Sequence, residues 1–237
     1  MQLCIALLEK LIDLHQIDYR AHGLEWIGKG EGYVRRQVER WTDRFHKDRR
    51  ENNPVGESVA AWLSQNTPLS ETGVSLIHND FRFDNVVLDP ADPLKIIGVL
   101  DWEMATLGDP LMDLGAALAY WTEPNDAEPC QLIRVQPTTA PGMFTRSQAI
   151  KYNLDRTDRQ TGLDKFYPIF GYFRLSVILR QFYSWSLQGK KKNPRFADFG
   201  GAARHLEELC LGLIETSRCR GSLSGDRGGY RSPDQHA

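Results

Sequence analysis

Cysteine is scarce in this sequence, and its distribution excludes one class of fold. The 237 residues contain four cysteines, and none of them forms a C-x-x-C pair. Small secreted domains depend on closely spaced cysteines for disulfide frameworks, whereas intracellular proteins keep isolated thiols reduced. We therefore predict a cytoplasmic protein with reduced thiols at Cys4, Cys130, Cys210 and Cys219.

Long apolar runs, a leader sequence and an excess of charge are also lacking. No run approaches the roughly 18 apolar residues that a membrane-spanning helix needs. The apolar stretch 3–8 has neither the basic flank nor the cleavage site of a signal peptide. The 29 basic and 31 acidic residues leave a net charge of −2, which gives no general attraction for nucleic acid. The composition therefore predicts a globular protein with neither a membrane nor a nucleic-acid partner.

The stretch from residue 74 to residue 115 carries the pattern on which the functional interpretation depends. An apolar run at 74–77 is followed by a polar loop and a second apolar run at 86–88. A turn with two Asp-Pro pairs then leads into a third apolar run at 95–100. This order predicts a small sheet or hairpin. Asp80, Asn85 and Asp101 then lie in loops or at strand ends, where functional groups are usually displayed.

The polar residues of this stretch match the needs of phosphoryl transfer. That reaction needs a carboxylate to accept the proton of the attacking hydroxyl, and oxygen ligands to hold magnesium on the phosphates. His78, Asp80 and Asn85 have the spacing H-x-D-x-x-x-x-N of a kinase catalytic loop, and Asp101 follows beyond a hairpin. His-Asn-Asp and Asp-Trp-Glu replace the H-R-D and D-F-G of protein kinases, which argues against a protein kinase.

These motifs resemble the aminoglycoside phosphotransferase and choline kinase-like family. More narrowly, they are similar to the kinase-like domains fused to acyl-CoA dehydrogenases. The matching residues are His78, Asp80, Asn85, Asp101, Trp102, Glu103, Gly108-Asp109-Pro110 and Asp113-Leu114.

The resemblance implies an ATP- and Mg²⁺-dependent phosphotransferase and assigns a role to each motif residue. Asp80 would be the catalytic base, and Asn85 and Asp101 would bind magnesium and the nucleotide phosphates. His78 and Asp113 would support the catalytic loop. Arg82 and Glu103 are further candidates beside the site, with a merely solvated role equally open for Glu103.

Other interpretations of the same residues are weaker. His78 and Asp80 are spaced like metal ligands, but no further histidine cluster completes a zinc site. A magnesium-dependent phosphohydrolase could use the same carboxylates, although the order of the elements is that of a kinase. The glycine-rich segment 28–32 follows no predicted strand and lacks the Walker pattern, so it is predicted to be an ordinary turn.

The fold is predicted to be α+β and mainly helical, with the small sheet carrying the catalytic loop. By resemblance, residues 1–219 form the C-terminal lobe of a protein kinase-like fold. The stretch 220–237 is rich in Gly, Ser, Arg and Asp and is predicted to be a disordered tail. Helices are predicted at about 2–15, 31–47, 58–64, 110–121, 145–159, 164–187 and 195–217.

The N-terminal β lobe of this family is expected to be missing, since almost no sequence precedes the first helix. That lobe supplies a glycine-rich turn and a lysine for the phosphates in the family. We therefore expect a longer form or a partner chain to supply it, and this chain alone to be impaired. The alternative is a non-catalytic module, a truncated pseudokinase that binds a metabolite or a protein.

The charge of the C-terminal helices predicts the kind of acceptor. Between Thr145 and His205 the chain has 12 Lys or Arg and four acidic residues. Such an excess disfavours a polycation such as an aminoglycoside and favours an anionic small molecule. A hydroxylated acyl-CoA would fit both the charge and the resemblance. A basic, solvated face that contacts no substrate is the alternative.

Overall fold

The computed structural model describes residues 1–47, 52–157, 165–190 and 193–223, the last seven by their backbone alone. Its architecture is mainly helical, with two small antiparallel sheets, as predicted. The helices and strands are α1 (Gln2–His15), α2 (Tyr33–Lys47), α3 (Pro54–Gln65), β1 (Ser75–Ile77), β2 (Val86–Leu88), β3 (Ile96–Val99), β4 (Thr106–Gly108), α4 (Pro110–Ala119), α5 (Glu128–Leu132), α6 (Arg146–Thr157), α7 (Phe166–Leu187) and α8 (Phe199–Leu223).

The two sheets separate the strands of the motif stretch into different pairs. Strand β2 pairs with β3 in a hairpin, and β1 pairs with β4. The strand β4 was not predicted, because its three residues follow the Asp101 loop without an apolar run. In the β1–β4 pair, Ile77 lies opposite Thr106. The loops after β1 and before β4 are therefore held side by side.

Helix α7 forms the centre of the core. Its apolar residues lie on every face, which is typical of a helix buried all round. It packs chiefly against α4 and α8. Gly189, with φ +67°, follows its end and adopts the left-handed conformation that stops a helix. None of the helices that the structure describes is long and apolar enough to cross a membrane.

Helix α4 begins at a buried aspartate that ties several elements together. The Asp109 carboxylate accepts hydrogen bonds from the Leu111 N–H and the Thr72 N–H, both at 2.8 Å. The Tyr167 hydroxyl on α7 donates to the same carboxylate at 3.1 Å. Pro110 occupies the first helical position, which suits a residue without an N–H. Asp109-Pro110 is thus a helix start, as its sequence indicates.

Some element boundaries differ from those predicted. Asn53 caps α3 by accepting from the Gly56 N–H, so this helix begins four residues before Ser58. The short helix α5 was not among the predicted helices. Helix α8 runs to Leu223 and includes the first four residues of the predicted tail. The rest of that tail lies outside the described residues.

Helices α4 and α7 approach closely at two glycines, which makes this contact sensitive to substitution. A Cβ at Gly171 would lie 2.2 Å from the Gly115 carbonyl oxygen, well inside van der Waals contact. We expect Gly171→Ala to destabilise the fold by about 1–3 kcal/mol, as overpacking does. Urea denaturation measures the change.

Gly212→Ala is the matched control for this prediction. Gly212 lies in α8, and a Cβ there would meet no atom within 4 Å. Because alanine favours helix, this variant should be more stable by about 0.5–1 kcal/mol. Equal midpoints for the two variants would contradict the close contact.

Candidate active site

The loop between β1 and β2 presents Asp80. Strand β1 is buried along its whole length and ends at Ile77, and a 3₁₀ turn over Phe83–Asn85 leads into β2. Asn79 has φ +67°, a conformation that asparagine tolerates better than most residues. Its side chain accepts from the Tyr33 hydroxyl at 2.8 Å and donates to the Met104 carbonyl at 3.0 Å. The loop is therefore fixed to both α2 and the segment after Asp101.

Two neighbours hold the Asp80 carboxylate. The Asn85 amide nitrogen donates to its Oδ2 at 3.1 Å and to the Asp80 carbonyl at 2.7 Å. The Arg82 guanidinium donates to the same Oδ2 at 3.0 Å and lies 4.8 Å from the Tyr120 ring centre. Burial raises the pKa of Asp80 above its ordinary value, while the Arg82 charge and the Asn85 hydrogen bond oppose the rise. The result is an oriented carboxylate with increased basicity.

Asp113 supports this loop from beneath with a fully buried carboxylate. Its Oδ2 accepts from the His78 N–H at 2.8 Å, and its Oδ1 accepts from the Asn79 N–H at 2.7 Å. The ring of His15, at the end of α1, donates to Oδ2 from 3.1 Å. Burial alone would raise the pKa of Asp113, but His15 and the two N–H groups hold it below its ordinary value. This geometry is what a bracing role requires.

His78 joins the catalytic loop to the Asp101 segment. Its Nε2 lies 2.8 Å from the Leu100 carbonyl oxygen, and the Asp80 N–H donates to its Nδ1 at 3.2 Å. A carbonyl only accepts and an N–H only donates, so the ring is a neutral imidazole with its proton on Nε2. Trp102 lies against the ring at 5.0 Å between centres. His78 is fully buried, and both ring nitrogens are occupied within the chain.

The β2–β3 hairpin brings Asn85 and Asp101 together. Val86 pairs with Val99, and the Leu100 N–H donates to the Asn85 carbonyl at 2.8 Å, so the residues just outside the paired strands are neighbours. Asp101 has φ +59°, a left-handed conformation that is uncommon outside glycine. Such strain is frequent at functional sites.

The free oxygens at this end of the hairpin fit a magnesium ion. Among the described residues, none donates a hydrogen bond to the Asn85 Oδ1 or to the exposed Asp101 carboxylate. Magnesium commonly takes one or two protein oxygens and completes its shell with water and substrate phosphates. The described part of the chain has no group of three or more His, Cys, Asp or Glu placed to hold a metal. A dedicated all-protein metal cage is therefore not formed by those residues.

Two adjoining cavities open beside the loop that carries Asp80. The first, about 480 Å³ in volume, is the basic cavity: of the described residues that line it, five are Lys or Arg and only Glu103 is acidic. The second, about 450 Å³, is the apolar cavity and includes Asp80, Ile178 and Phe182 in its lining. Arg174, Arg44, Trp41 and Met104 line both. Asp80 thus borders the apolar cavity, which shares these four residues with the basic one.

The structure places the seven predicted site residues in one region of the molecule, in three groups. Asp80, Arg82 and Asn85 are in direct contact, and His78 and Asp113 lie beneath them. Asp101 follows Leu100, which is bonded to both His78 and Asn85. Glu103 is exposed and faces the basic cavity.

Sequence reasoning missed two residues of this region. His15 reads as the last residue of an amphipathic helix, and Arg174 as one polar residue in an apolar helix. The sequence could have pointed to Arg174, because a charged residue within an apolar helix needs either an ionic partner or a function. No local signal marked His15.

Comparison of the sequence with known proteins identifies acyl-CoA dehydrogenase family members as relatives. The chain is 30% identical to acyl-CoA dehydrogenase family member 11 of Rattus norvegicus, a match that covers 80% of this chain and 24% of that protein. It is 31% identical to acyl-CoA dehydrogenase family member 10 of Mus musculus, with coverages of 86% and 19%. The chain therefore spans a quarter or less of these relatives.

Solved structures share the fold. A structure from Ralstonia eutropha, assigned to the aminoglycoside phosphotransferases, superposes with a TM-score of 0.78 at 29% identity, covering 91% of this chain and 65% of that one. Choline kinase from Cryptosporidium parvum superposes with a TM-score of 0.53 at 13% identity, covering 93% and 67%. The second likeness concerns the fold alone.

A family model provides the assignment. The phosphotransferase enzyme family matches residues 2–137, a range that includes α1, the catalytic loop, the β2–β3 hairpin and α4. The resemblance predicted from the motifs is thereby confirmed: the chain belongs to the phosphotransferase enzyme family.

Proposed function

We propose that this chain carries the catalytic loop of an ATP-dependent phosphotransferase that acts on a hydroxyl of a small anionic metabolite. The observation that carries the proposal is the position of Asp80, which Asn85 and Arg82 hold at the wall of the apolar cavity. The free oxygens of Asn85 and Asp101 lie at the end of the β2–β3 hairpin, and the apolar cavity offers space for an acceptor.

In the proposed reaction, Asp80 accepts the proton of the acceptor hydroxyl as the hydroxyl oxygen attacks the γ-phosphorus of ATP. The new bond joins that oxygen to phosphorus, while the bond from phosphorus to the β–γ bridging oxygen breaks and ADP leaves. Asp80 then returns the proton to solvent. Asn85 Oδ1 and the Asp101 carboxylate would hold magnesium, which neutralises charge on the phosphates when bound.

The positive charge of the basic cavity supports an anionic acceptor. Most of that charge, however, comes from residues outside the stretch 145–205 on which the sequence prediction was based. Most cations of the stretch 145–205 whose partners are described bind elsewhere: Arg146 pairs with Asp126, Arg156 with Glu9 and Arg180 with Glu207. Among the cations of that stretch that the structure describes, Arg174 alone lines the two cavities. The other cations of the basic cavity are Lys29, Arg36, Arg40 and Arg44.

A hydroxyacyl-CoA is the acceptor class that we propose. It combines an apolar chain, which suits the apolar cavity, with phosphates, which suit the basic one. The names of the acyl-CoA dehydrogenase relatives support the same class.

The test is an ADP-release assay of the 237-residue chain with Mg·ATP and a panel of acceptors. The panel contains hydroxyacyl-CoA esters, the matching acyl-CoA without the hydroxyl, and a polycationic aminoglycoside. We expect slow formation of ADP and of a phosphorylated ester, and only with the hydroxylated ester. Phosphate release without any acceptor would indicate a hydrolase, and equal turnover of the aminoglycoside would contradict the anionic class.

The environment of Asp80 predicts how activity depends on pH. The carboxylate must be ionised to accept a proton, so activity should fall as the pH drops through its raised pKa. The Arg82 charge lowers that pKa, so Arg82→Met should raise it and move the acidic limb of kcat/KM to higher pH. Lys151→Met, which removes an exposed charge on α6, should leave the limb in place. A limb at lower pH in Arg82→Met would contradict the assignment.

A second candidate function is a binding module that depends on another polypeptide for catalysis. Apolar side chains on and after the hairpin are unusually exposed: Ile97 by 53%, Leu100 by 49% and Trp102 by 43%. Such a patch favours cover by a nucleotide-binding lobe, in a longer form or a partner chain. Calorimetric titration with Mg·ATP, alongside Asp101→Asn, separates the two. Binding lost in the variant favours the enzyme, and no binding to folded wild type favours the module.

A further inference from the structure

Arg174 is a buried cation without an anionic partner. It lies in the middle of α7, and only 5% of its surface is exposed. Among the residues that the structure describes, no carboxylate or carbonyl oxygen lies within hydrogen-bonding distance of its guanidinium. Its guanidinium lies over the Trp41 ring, whose centre is 5.4 Å away.

Two partly buried arginines, Arg180 and Arg146, are paired with carboxylates instead. Arg180, six residues further along the same helix, makes two hydrogen bonds of 2.7 Å with the buried Glu207. Arg146 pairs in the same way with Asp126, at 2.6 and 2.7 Å. Buried charges are costly unless they are paired, so Arg174 is the exception among these three.

The charged residues near Arg174 on α2 are further cations, although a carboxylate would be the expected neighbour of a buried arginine. Arg44 lies 4.7 Å from the centre of the same Trp41 ring, and Arg40 lines the cavity one turn away on α2. Burial, together with the charges of Arg40 and Arg174, lowers the pKa of Arg44. The cluster repels itself, and an anion placed between its members would relieve that repulsion.

The position of the cluster links it to the catalytic loop. Arg174 and Arg44 line both cavities, and Asp80 lines the apolar one. Burial raises the pKa of Asp80, and the positive charge of Arg174 is among the influences that oppose this rise. Two arginines lie against Trp41, which is itself buried, so a stacked nucleobase is not the ligand that this arrangement favours.

We propose that Arg174 and Arg44, held against Trp41, form an anion-binding subsite that takes a phosphate group of the acceptor. The inference rests on the proposed function, since it places this group in the acceptor's cavity and the reacting hydroxyl at Asp80. Arginine suits the task because its planar guanidinium can donate two parallel hydrogen bonds to a phosphate. The subsite selects acceptors that carry a phosphate at a fixed distance from the hydroxyl.

Binding of inorganic pyrophosphate to the 237-residue chain, measured by calorimetry, tests the subsite without any turnover. We expect wild type to bind it and Arg174→Met to bind at least about tenfold more weakly, the loss typical of a charge-assisted hydrogen bond. Arg44→Met should weaken binding by a similar factor. Arg35→Met is the matched control: it removes an exposed arginine of α2 that lines neither cavity, and it should bind like wild type.

Thermal unfolding distinguishes a ligand-binding arginine from a structural one. Because the charge of Arg174 is unpaired, Arg174→Met should unfold at the same temperature as wild type or higher. Pyrophosphate should raise the unfolding temperature of wild type and of Arg35→Met, but not that of Arg174→Met. If Arg174→Met does not fold, Arg44→Met decides, since Arg44 is exposed.

The outcomes separate this inference from the proposed function. Pyrophosphate binding that is absent from wild type, or unchanged in both Arg174→Met and Arg44→Met, overturns the subsite. Displacement of pyrophosphate by Mg·ATP also overturns it, because the site would then belong to the nucleotide. Retained pyrophosphate binding in Asp80→Asn supports it. If wild type binds pyrophosphate as expected but transfers no phosphoryl group, the proposed function fails and the subsite stands.

Discussion

Asp80→Asn should reduce the rate of phosphoryl transfer by about 10²–10⁴, the contribution usual for a general base. Asparagine keeps the shape of the side chain but cannot accept the proton of the acceptor hydroxyl. Its amide would still lie beside Asn85 and Arg82, so the loop should keep its conformation. The measurement is kcat with Mg·ATP and a hydroxyacyl-CoA, together with the affinity for Mg·ATP, which should not fall.

Asp84→Asn provides the control for this prediction. Asp84 belongs to the same loop and pairs with the same Arg82, at 3.4 Å, but its side chain is 42% exposed. Ion pairs of this kind contribute less than about 1 kcal/mol, so its rate should stay within about fivefold of wild type. A rate for Asp80→Asn close to that of Asp84→Asn would remove Asp80 from the chemistry.

Asp113→Ala should cost the fold about 3–5 kcal/mol, the range found when one partner of a buried ionic network is removed. The substitution leaves the N–H groups of His78 and Asn79 and the ring of His15 without their acceptor. Unsatisfied buried donors are the main reason for such losses. Asp113→Asn should lose less, because its carbonyl oxygen has two lone pairs and can still accept two of the three hydrogen bonds, as Oδ2 does now. Urea denaturation at neutral pH gives the free energy of unfolding of each variant.

Two further variants show whether the loss comes from this network. Asp13→Ala removes an exposed carboxylate that pairs with Lys10 on α1, and its unfolding curve should match wild type. His15→Ala leaves both backbone donors of the loop bonded to Asp113, so its loss should be smaller than that of Asp113→Ala. A double-mutant cycle should show coupling between His15 and Asp113. Additive losses would mean that their contact at 3.1 Å contributes little.

The losses expected for Asp80→Asn and Asp113→Ala have different origins. Comparison of the two variants therefore separates an effect on rate from an effect on stability. Asp80 is partly exposed and acts on the substrate, so its removal should change the rate and leave stability nearly intact. Asp113 touches no cavity described above and acts through the backbone of the loop. Its conservative variant should therefore lose both stability and rate.

The local sequence determined the motifs from which a phosphotransferase is predicted. The spacing of His78, Asp80, Asn85 and Asp101 follows from a short loop and a hairpin, whose geometry depends on residues close in sequence. The periodicity of α1 likewise predicted a helix over the residues observed, Gln2–His15. Patterns of this kind are readable because neighbouring residues in a helix or hairpin are neighbours in space.

Only the tertiary structure decided what surrounds that loop. His15 reaches Asp113 across 98 residues of sequence, and the cations beside Asp80 come mainly from α2 and not from the stretch 145–205. The composition of that stretch showed an excess of positive charge but could not show which cations are paired. Arg146 and Arg180 form ion pairs with carboxylates that lie outside the stretch. The partner of a side chain depends on how the helices pack. The periodicity of a helix predicts which of its faces is buried, but it does not predict which element packs against that face. For that reason the sequence identified the catalytic loop, whereas the unpaired Arg174 became visible only in the folded chain.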